Sequence, residues 1–559
     1  MKRNWALLLV LVLVVGLSSI AMSYERSESL VYGGGMWSPA SNWNPLIPYT
    51  GGHPTGTVGL VFENLFHYYP LENRFQPWLA ESGQWLSDNQ YEIKLRKGIK
   101  WNDGEDFNAV DVAFSFLIAR DNPTYYSNIW TWMNDIEVVD TYTVRFNFAD
   151  PHYQEWKGIL HDIAMIPEHI WSKVSADQLL TIANENPVGT GPYLVESVGQ
   201  DRMVWVRDED WWGNQIFGQP APKYLINLIV PGNNNALGML MKRELDLSNY
   251  FLPGIPNIKK AFGINTYYED SPYMIAENTA LLFLNTTIEP LDDRNFRRAM
   301  AFAINPKIIV ERVYENQVTV ANSTGLFGQA WMDYYSQEIV DQYGFSYDPA
   351  TAKQLLDQAG YLDRDGDGWR DNLNGEAIEL EVIVPNGWTD WMESIKVIAD
   401  NLKAVGVNVT PSFPDFSIYL NAIHQGTFEL AINNFGASLS VTPFSYWNWV
   451  VSDEIDGDLV TDGNFSRYDD PKLFKMIKAF NMTDDASPRA MEIAANIQQA
   501  MLEAMPSIPL WHNGLWAQTQ SEYWTNWPSE DNPTGYPCTW GGKWDFGSIP
   551  MLINLKPVK

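Results

Sequence analysis

The chain has 559 residues, of which 45% are hydrophobic and 19% charged, and its formal net charge is −31. This composition excludes a disordered polymer, and the length predicts about two to four packed units. The negative surface disfavours nucleic acids, anionic lipid head groups and polyanionic ligands.

The first 23 residues have the pattern of a secretory signal. Lys2 and Arg3 precede an apolar run, and the A-x-S sequence that follows suits cleavage before Tyr24. The run is short for a membrane-spanning helix, so a cleaved signal is favoured over an uncleaved anchor. Cys538 is the only cysteine, which leaves no internal disulfide and no lipid-bearing cysteine at the cleavage site. We therefore predict a periplasmic or otherwise extracytoplasmic protein that is not a lipoprotein.

Four carboxylates lie close together in the stretch KLRKGIKWNDGEDFNAVDVAFSF, residues 94–116. Such a cluster could be an acid/base site, a cation site or the boundary between a strand and a helix. The NDG sequence predicts a tight turn, and Asn108 followed by Asp111 matches a helix N-cap with an acid at the third helical position. Since turn and cap formation already account for these acids, we predict that this stretch is not catalytic.

The later segments alternate between strand and helix patterns. Residues 224–250 and 378–414 each contain a strand, a helix and a second strand, which is the order of a parallel crossover. The sequence shows no repeat of fixed period and no low-complexity linker. These patterns predict an α/β protein with lobes that share strands.

The loop DRDGDGWRDNLN places carboxylates at alternate positions around a turn, a pattern that suits the oxygen-rich shell of calcium. Position twelve is Asn374 where a calcium loop usually has a bidentate glutamate, so a metal-free turn is the alternative. A bound ion would have a structural role only. The candidate ligands are Asp363, Asp365, Asp367, Trp369 and Asp371.

The chain has 25 Trp and 27 Tyr, more than packing alone requires. Indoles offer flat apolar faces and one N–H donor, a combination that suits sugar rings. A secreted glycoside hydrolase would also be acidic and rich in Trp, and it would need two carboxylates across a cleft. The seven histidines show no zinc-site spacing, and the sequence contains no phosphate-binding loop or G-x-S-x-G nucleophile motif.

Several segments in order resemble a known family. They are PWLAESGQWLSDNQYEIKLRKGIKWNDGEDFNAVDVAFSF, NPVGTGPYLV, RELDLSN, LLFLNTTIEPLDDRNFRRAMAFAIN, AKQLLDQAGYLDRDGDGWRD and IADNLKAVGVNV. This series resembles the oligopeptide/dipeptide-type solute-binding proteins of ABC importers, family 5, and in particular the members that bind cello-oligosaccharides and β-glucosides. The resemblance covers the chain from about Leu30 to its C-terminus.

The resemblance implies a two-lobed α/β fold of the periplasmic-binding-protein type (cluster C), with mixed sheets, hinge closure and an extra subdomain in the first lobe. It also implies a monomer that performs no catalysis, requires no cofactor and works with a membrane permease. The expected division is a signal at 1–23, lobe I at 24–68, 188–288 and 510–559, an inserted subdomain at 69–187, and lobe II at 289–509.

The peptide-binding members typically carry acids in a DYxDP stretch that pair with the amino terminus of the peptide. Matching Pro443 to the family proline places Leu439 and Thr442 where the two acids would be. Burying an ammonium group without a counter-charge costs several kcal/mol, so this departure argues against peptides. We therefore expect a neutral β-linked oligosaccharide of the cellobiose, laminaribiose or mannobiose type, with an oligopeptide as the alternative.

Loops that follow strands supply the candidate ligand-binding residues, because open α/β sheets present their ligand sites there. Amide side chains can donate to and accept from hydroxyl groups, and indoles can stack on ring faces. The candidates in chain order are Trp37, Asn249, Tyr250, Trp388, Asn433, Asn434, Trp447, Trp449, Trp511, His512 and Asn513.

Overall fold

The structure is a computed structural model that describes residues 24–36, 42–47, 55–434, 441–451, 459–460, 463–540 and 543–558. The predicted signal (residues 1–23), Trp37 and Leu439 lie outside this range. Within it, none of the helices has the length and apolar character needed to cross a membrane.

The strands are β1 (Ser29–Gly33), β2 (Phe66–Tyr69), β3 (Arg74–Pro77), β4 (Ala80–Ser87), β5 (Gln90–Leu95), β6 (Met133–Asp140), β7 (Thr143–Phe148), β8 (Tyr193–Val198), β9 (Arg202–Arg207), β10 (Tyr224–Leu228), β11 (Leu247–Ser248), β12 (Ile264–Asn265), β13 (Ile275–Leu284), β14 (Thr319–Val320), β15 (Glu379–Ile383), β16 (Asn408–Ser412), β17 (Leu430–Asn434), β18 (Ser507–Leu515), β19 (Gln518–Gln520), β20 (Trp524–Thr525) and β21 (Lys556–Pro557).

The α-helices are α1 (Ala109–Asp121), α2 (Tyr153–Asp162), α3 (Glu168–Trp171), α4 (Asn233–Met241), α5 (Ile255–Phe262), α6 (Arg294–Ala303), α7 (Pro306–Arg312), α8 (Gly328–Met332), α9 (Gln337–Tyr343), α10 (Pro349–Ala359), α11 (Thr389–Lys403), α12 (Phe416–Gln425), α13 (Phe444–Val451), α14 (Pro471–Asn481), α15 (Pro488–Ala504) and α16 (Ser548–Asn554).

Two mixed sheets form the centres of the two lobes, which confirms the predicted α/β class. The lobe I sheet has the order β12-β19-β11-β1-β10-β9-β8, and β1 runs parallel to both of its neighbours. The lobe II sheet has the order β14-β18-β13-β17-β15-β16, in which β15 is parallel to β16 and β17. Two apolar clusters, made mostly of lobe II side chains, pack around this second sheet.

The boundaries between the lobes differ from those expected from the sequence. The expected bounds place all of β13 and residues 510–515 of β18 in lobe I, but the two strands pair with each other in the lobe II sheet. The chain therefore passes between the sheets at residues 266–274 and 516–517, not at 288/289 and 509/510. The physical reason is that β13 pairs with β18 on one side and, over residues 280–284, with β17 on the other, which places it inside the second sheet.

The inserted subdomain contains the antiparallel sheet β4-β5-β7-β6, with α1 packed against it. The NPVGTGPYLV segment joins the subdomain to lobe I through a close backbone contact. A Cβ atom on Gly189 would lie 1.9 Å from the carbonyl oxygen of Val61, and one on Gly191 would lie 2.2 Å from that of Leu60. Only glycine fits at these two positions, which explains the G-T-G sequence.

The acidic stretch at residues 94–116 forms the turn and helix cap that the sequence predicts. The Asn108 side chain accepts a hydrogen bond from the Val110 N–H at 2.8 Å, and the Asp111 carboxylate accepts one from the Asn108 N–H at 2.9 Å. The other oxygen of Asp111 accepts from the Glu168 N–H at 3.0 Å, which also ties α3 to α1.

Replacing Asp111 with alanine is expected to lower the free energy of unfolding by about 1–2 kcal/mol, because two backbone N–H groups lose their acceptor. Urea denaturation would measure the change. Asp106→Ala is the matched control, since Asp106 makes an exposed pair with Lys100 and such pairs contribute little. Equal stability of the Asp111→Ala variant and the wild type would contradict the capping role.

Candidate functional site

The two lobes contact each other directly near the crossovers. The Gly254 N–H of lobe I lies 3.1 Å from both carboxylate oxygens of Glu315 in lobe II. Gln317 of lobe II donates to the Leu252 carbonyl at 3.1 Å. These bonds join residues 252–254 of lobe I to residues 315–317 of lobe II.

Exposed aromatic rings lie just beyond the carboxyl ends of β15 and β16. Trp388 is 38% exposed and Phe416 is 51% exposed, and their rings stack with centroids 5.8 Å apart at 24°. Trp391 supports Trp388 by an edge contact at 4.8 Å. Thr389 lies 3.4 Å from the Asn233 amide of lobe I, so this aromatic pair stands where the lobes face each other.

A group of amides lies at the end of β17. Asn434 donates to Asn278 at 3.0 Å, and the Asn434 N–H donates to the Asn433 side chain at 2.9 Å. Asn513 on β18 is the cross-strand partner of Asn278. The structure thus brings three of the predicted amides, Asn433, Asn434 and Asn513, to neighbouring positions.

Two polar residues beside these amides, Glu277 and Asn278, are not among the predicted site residues; both are buried, and the Asn278 amide donates to the Glu277 carboxylate. They lie on β13, next to the crossover into lobe II. The signal that could have identified them is the pair of polar residues in the otherwise apolar strand IAENTALLFL. Polar side chains in a buried strand need a partner or a function, because burial without hydrogen bonds is costly.

Trp511 packs in an aromatic cluster at the crossovers. Its ring lies 5.1 Å from that of Tyr314, which in turn stacks on Trp516 at 6.0 Å and 6°. Phe251 of lobe I closes the cluster by an edge contact with Trp516 at 5.1 Å. The cluster therefore joins side chains of both lobes around the second crossover.

His512 points away from this cluster. Its Nδ1 lies 3.0 Å from the Thr279 hydroxyl, and its ring packs on Phe327. Burial lowers the pKa of His512 to about 4, so the imidazole is neutral at physiological pH.

The side chains of Asn249 and Tyr250 are bonded within or near lobe I. Asn249 donates to the carbonyls of Trp516 and Pro537, and its oxygen accepts from the Thr539 hydroxyl at 2.6 Å. The Tyr250 hydroxyl donates to the Val230 carbonyl at 3.0 Å. The side-chain polar atoms of Asn249 and Tyr250 are therefore hydrogen-bonded to other residues of the protein.

Trp447 and Trp449 lie on α13. Trp447 is fully buried in the lobe II core, where its ring meets that of Phe480. Trp449 is half-buried and packs edge-on against Phe283 and Phe465. Ligand contact by either residue stays a prediction.

Besides Glu277, the carboxylate of Asp390 is also buried. Asp390 lies at the start of α11, between the exposed Trp388–Phe416 pair and the aromatic cluster around Trp516. Burial raises its pKa to about 6, and the Tyr314 hydroxyl donates to it at 3.3 Å. Tyr314 in turn belongs to the cluster around Trp516, so Asp390 links the two aromatic groups.

The acidic loop has the close spacing that the calcium hypothesis requires. One oxygen each from Asp363, Asp365 and Asp367 lies within 4.8 Å of the others, and all three side chains are exposed. Backbone N–H groups of the loop donate to these carboxylates, and the Arg364 N–H donates to Asp371 at 2.9 Å. The Trp369 N–H donates to Asp367 at 2.8 Å. Calcium binding by this loop stays a prediction.

Comparisons with known proteins agree on the family. The model of bacterial extracellular solute-binding proteins, family 5, matches residues 74–457. A periplasmic oligopeptide-binding protein of an oligopeptide ABC transporter from Thermotoga maritima is 46% identical, with a TM-score of 0.93 over 96% of this chain and 100% of that one. A structure of the mannohexaose-bound Thermotoga protein gives a TM-score of 0.90 at 46% identity, over 96% of this chain and 99% of that one.

A curated relative, the dipeptide-binding protein of Escherichia coli, is 28% identical over 62% of this chain and 67% of its own length. Family 5 proteins are non-enzymatic transport components, so membership favours a binding protein over a glycoside hydrolase. The chain therefore belongs to the bacterial extracellular solute-binding proteins of family 5, the substrate-binding components of ABC importers.

Proposed function

We propose that this protein binds a neutral β-linked oligosaccharide between its lobes and delivers it to the membrane permease of its importer. The observation that carries the proposal is the mannohexaose-bound Thermotoga structure, which is 46% identical to this chain over 96% of its length. That protein is described as oligopeptide-binding, so the name of a relative does not decide between a peptide and a sugar ligand.

The chemistry of the described residues supports a sugar. The Trp388–Phe416 pair offers an exposed ring face to the C–H groups of a pyranose. The amide group of Asn278, Asn433, Asn434 and Asn513 offers donors and acceptors for hydroxyls. Thr442, where peptide-binding members carry an acid, is neutral. We further propose that residues 1–23 direct export of a monomer to the periplasm or cell exterior.

Calorimetric titration tests the proposal. Mannohexaose and cello-, laminari- and xylo-oligosaccharides would be compared with mixed tri- to pentapeptides. We expect a saturable signal with at least one glycan series and none with the peptides. Binding of peptides with no response to any glycan would contradict the proposal.

Replacing Trp388 with alanine is expected to weaken binding of the best glycan about tenfold, since stacking on an aromatic ring is worth about 1–2 kcal/mol. The same titration measures the change. Tyr347→Ala is the matched control, because Tyr347 is a similarly exposed aromatic residue of lobe II between α9 and α10. If the Trp388→Ala variant binds the glycan with unchanged affinity, the Trp388 ring does not contact the ligand.

An oligopeptide is the second candidate ligand, and Glu277 is the observation that favours it. This carboxylate is buried on β13 beside the amide group, where it could pair with a ligand ammonium. Glu277→Gln keeps the shape and removes the charge. If the ligand is a sugar, we expect the Glu277→Gln variant to bind it with an affinity within about threefold of the wild type. If the ligand is a peptide whose amino terminus pairs with Glu277, we expect the affinity to fall about a hundredfold or more.

A further inference from the structure

The inserted subdomain contacts lobe II at a second place, which is separate from the crossovers. Gln154, on the first turn of α2, is only 2% exposed. Its Nε2 donates to the Thr483 carbonyl at 2.7 Å and to the Asp485 carboxylate at 2.6 Å. Thr483 and Asp485 belong to the connection between α14 and α15, so these bonds join the subdomain to lobe II.

Neighbouring side chains extend this contact on both sides. The Glu155 N–H donates to the side chain of Asn481 at 2.9 Å, and Asn481 donates back to the Glu155 carboxylate at 3.0 Å. Lys157 forms an ion pair with Asp485. Within lobe II, the Tyr334 hydroxyl donates to Asp485 at 2.8 Å and holds that carboxylate in place.

The bonds of Gln154, Glu155 and Lys157 to lobe II are hydrogen bonds and an ion pair. Separation of the lobes about residues 266–274 and 516–517 would have to break these bonds. When the lobes separate, water can form hydrogen bonds with the exposed amides and charged groups. The contact can therefore open and close more easily than a large apolar interface. A contact present in one conformation and absent in the other shifts the equilibrium between them by its own free energy.

We propose that Gln154, Asn481 and Asp485 form a closure latch. The latch holds the subdomain against lobe II when the lobes are together, and it thereby sets the affinity and release rate of the bound ligand without touching it. Since binding energy is measured from the open form, a stronger latch raises affinity and slows release by the same factor. The inference does not depend on the chemical class of the ligand.

Single-molecule fluorescence energy transfer tests the latch. Dyes would be attached at Asn134→Cys in the subdomain and Lys353→Cys in lobe II, both exposed; the native Cys538 is buried and would not be labelled. Gln154→Leu removes both bonds of that side chain at nearly constant volume. We expect the closed-state lifetime to fall about tenfold, with and without mannohexaose.

Gln90→Leu is the matched control. Gln90 donates to Asn147 at 2.8 Å within the subdomain sheet, so this variant makes the same chemical change inside one unit and should keep the wild-type lifetime. Lys157→Met, at a more accessible position of the contact, provides a second test that disturbs folding less. Wild-type closed-state lifetimes in both Gln154→Leu and Lys157→Met, or a wild type that never closes in either condition, would overturn the proposal.

Failure of the latch and failure of the sugar hypothesis are distinguishable. The effect of Gln154→Leu on the closed-state lifetime without ligand reports on the contact between α2 and lobe II, whereas titration of the wild type with glycans reports on whether the protein binds sugar at all. A protein that ignores mannohexaose but loses its closed state in Gln154→Leu would retain the latch and contradict the sugar ligand.

Discussion

Replacing Trp516 with alanine is expected to lower the free energy of unfolding by about 3–5 kcal/mol, the range for removing a buried indole. Trp516 lies on the crossover between β18 and β19, and its ring contacts Phe251 of lobe I and Tyr314 of lobe II. The cavity cannot be filled by a shift of one lobe, because the crossover backbone fixes both. Urea denaturation followed by Trp fluorescence and far-UV circular dichroism measures the loss.

Trp516→Phe keeps an aromatic ring and should lose less than half as much stability. Trp331→Ala is the control for burial alone, since Trp331 is also buried and packs in an apolar cluster of lobe II. We expect only Trp516→Ala to change the relative orientation of the lobes, which small-angle X-ray scattering would detect. Identical scattering from the two alanine variants would contradict a role of Trp516 in joining the lobes.

The second large effect is a pH dependence of stability due to Glu63. This carboxylate is fully buried, and it accepts hydrogen bonds from the indole N–H groups of Trp78 at 2.8 Å, Trp211 at 3.2 Å and Trp212 at 2.8 Å. Burial raises the pKa of Glu63 from the ordinary 4.5 to about 7, because the three indoles compensate only part of the cost of desolvating the charge.

The folded protein therefore binds this proton more tightly than the unfolded chain does. The stabilising contribution is fully present below pH 4.5 and is lost as the pH rises through about 7. The shift in the pKa of Glu63 corresponds to about 3 kcal/mol in the free energy of unfolding between low and high pH. Glu63→Gln removes the titration, so its melting temperature should fall less than that of the wild type between pH 5 and pH 8.

Glu196→Gln, on the exposed part of β8, is the matched control and should keep the wild-type pH dependence. Differential scanning calorimetry at pH 5, 6, 7 and 8 would measure the melting temperatures of the wild type and of both variants. A Glu63→Gln variant that follows the wild-type curve would show that Glu63 does not titrate in this range in the folded protein.

Whether a site residue could be predicted depended on whether a local sequence pattern marks it or only strand pairing brings it to the site. Asn433 and Asn434 were identified because they end an apolar strand, and Trp388 because it follows one. Glu277 and Asn278 lie nearly 160 positions before Asn434, and only the pairing of β13 with β17 brings them together. Trp447 is on α13 in the lobe II core, which the Trp-rich sequence around it could not distinguish from a cleft wall.

The sequence by itself determined the local structure, the fold class and the family, because caps, turns, strand alternation and ordered family segments depend on residues close together in the chain. The tertiary structure decided which lobe β13 and β18 belong to, which polar residues meet at the end of β17, and that Gln154 contacts Asp485. These depend on strand pairing and on packing between units hundreds of residues apart, and no local pattern encodes them.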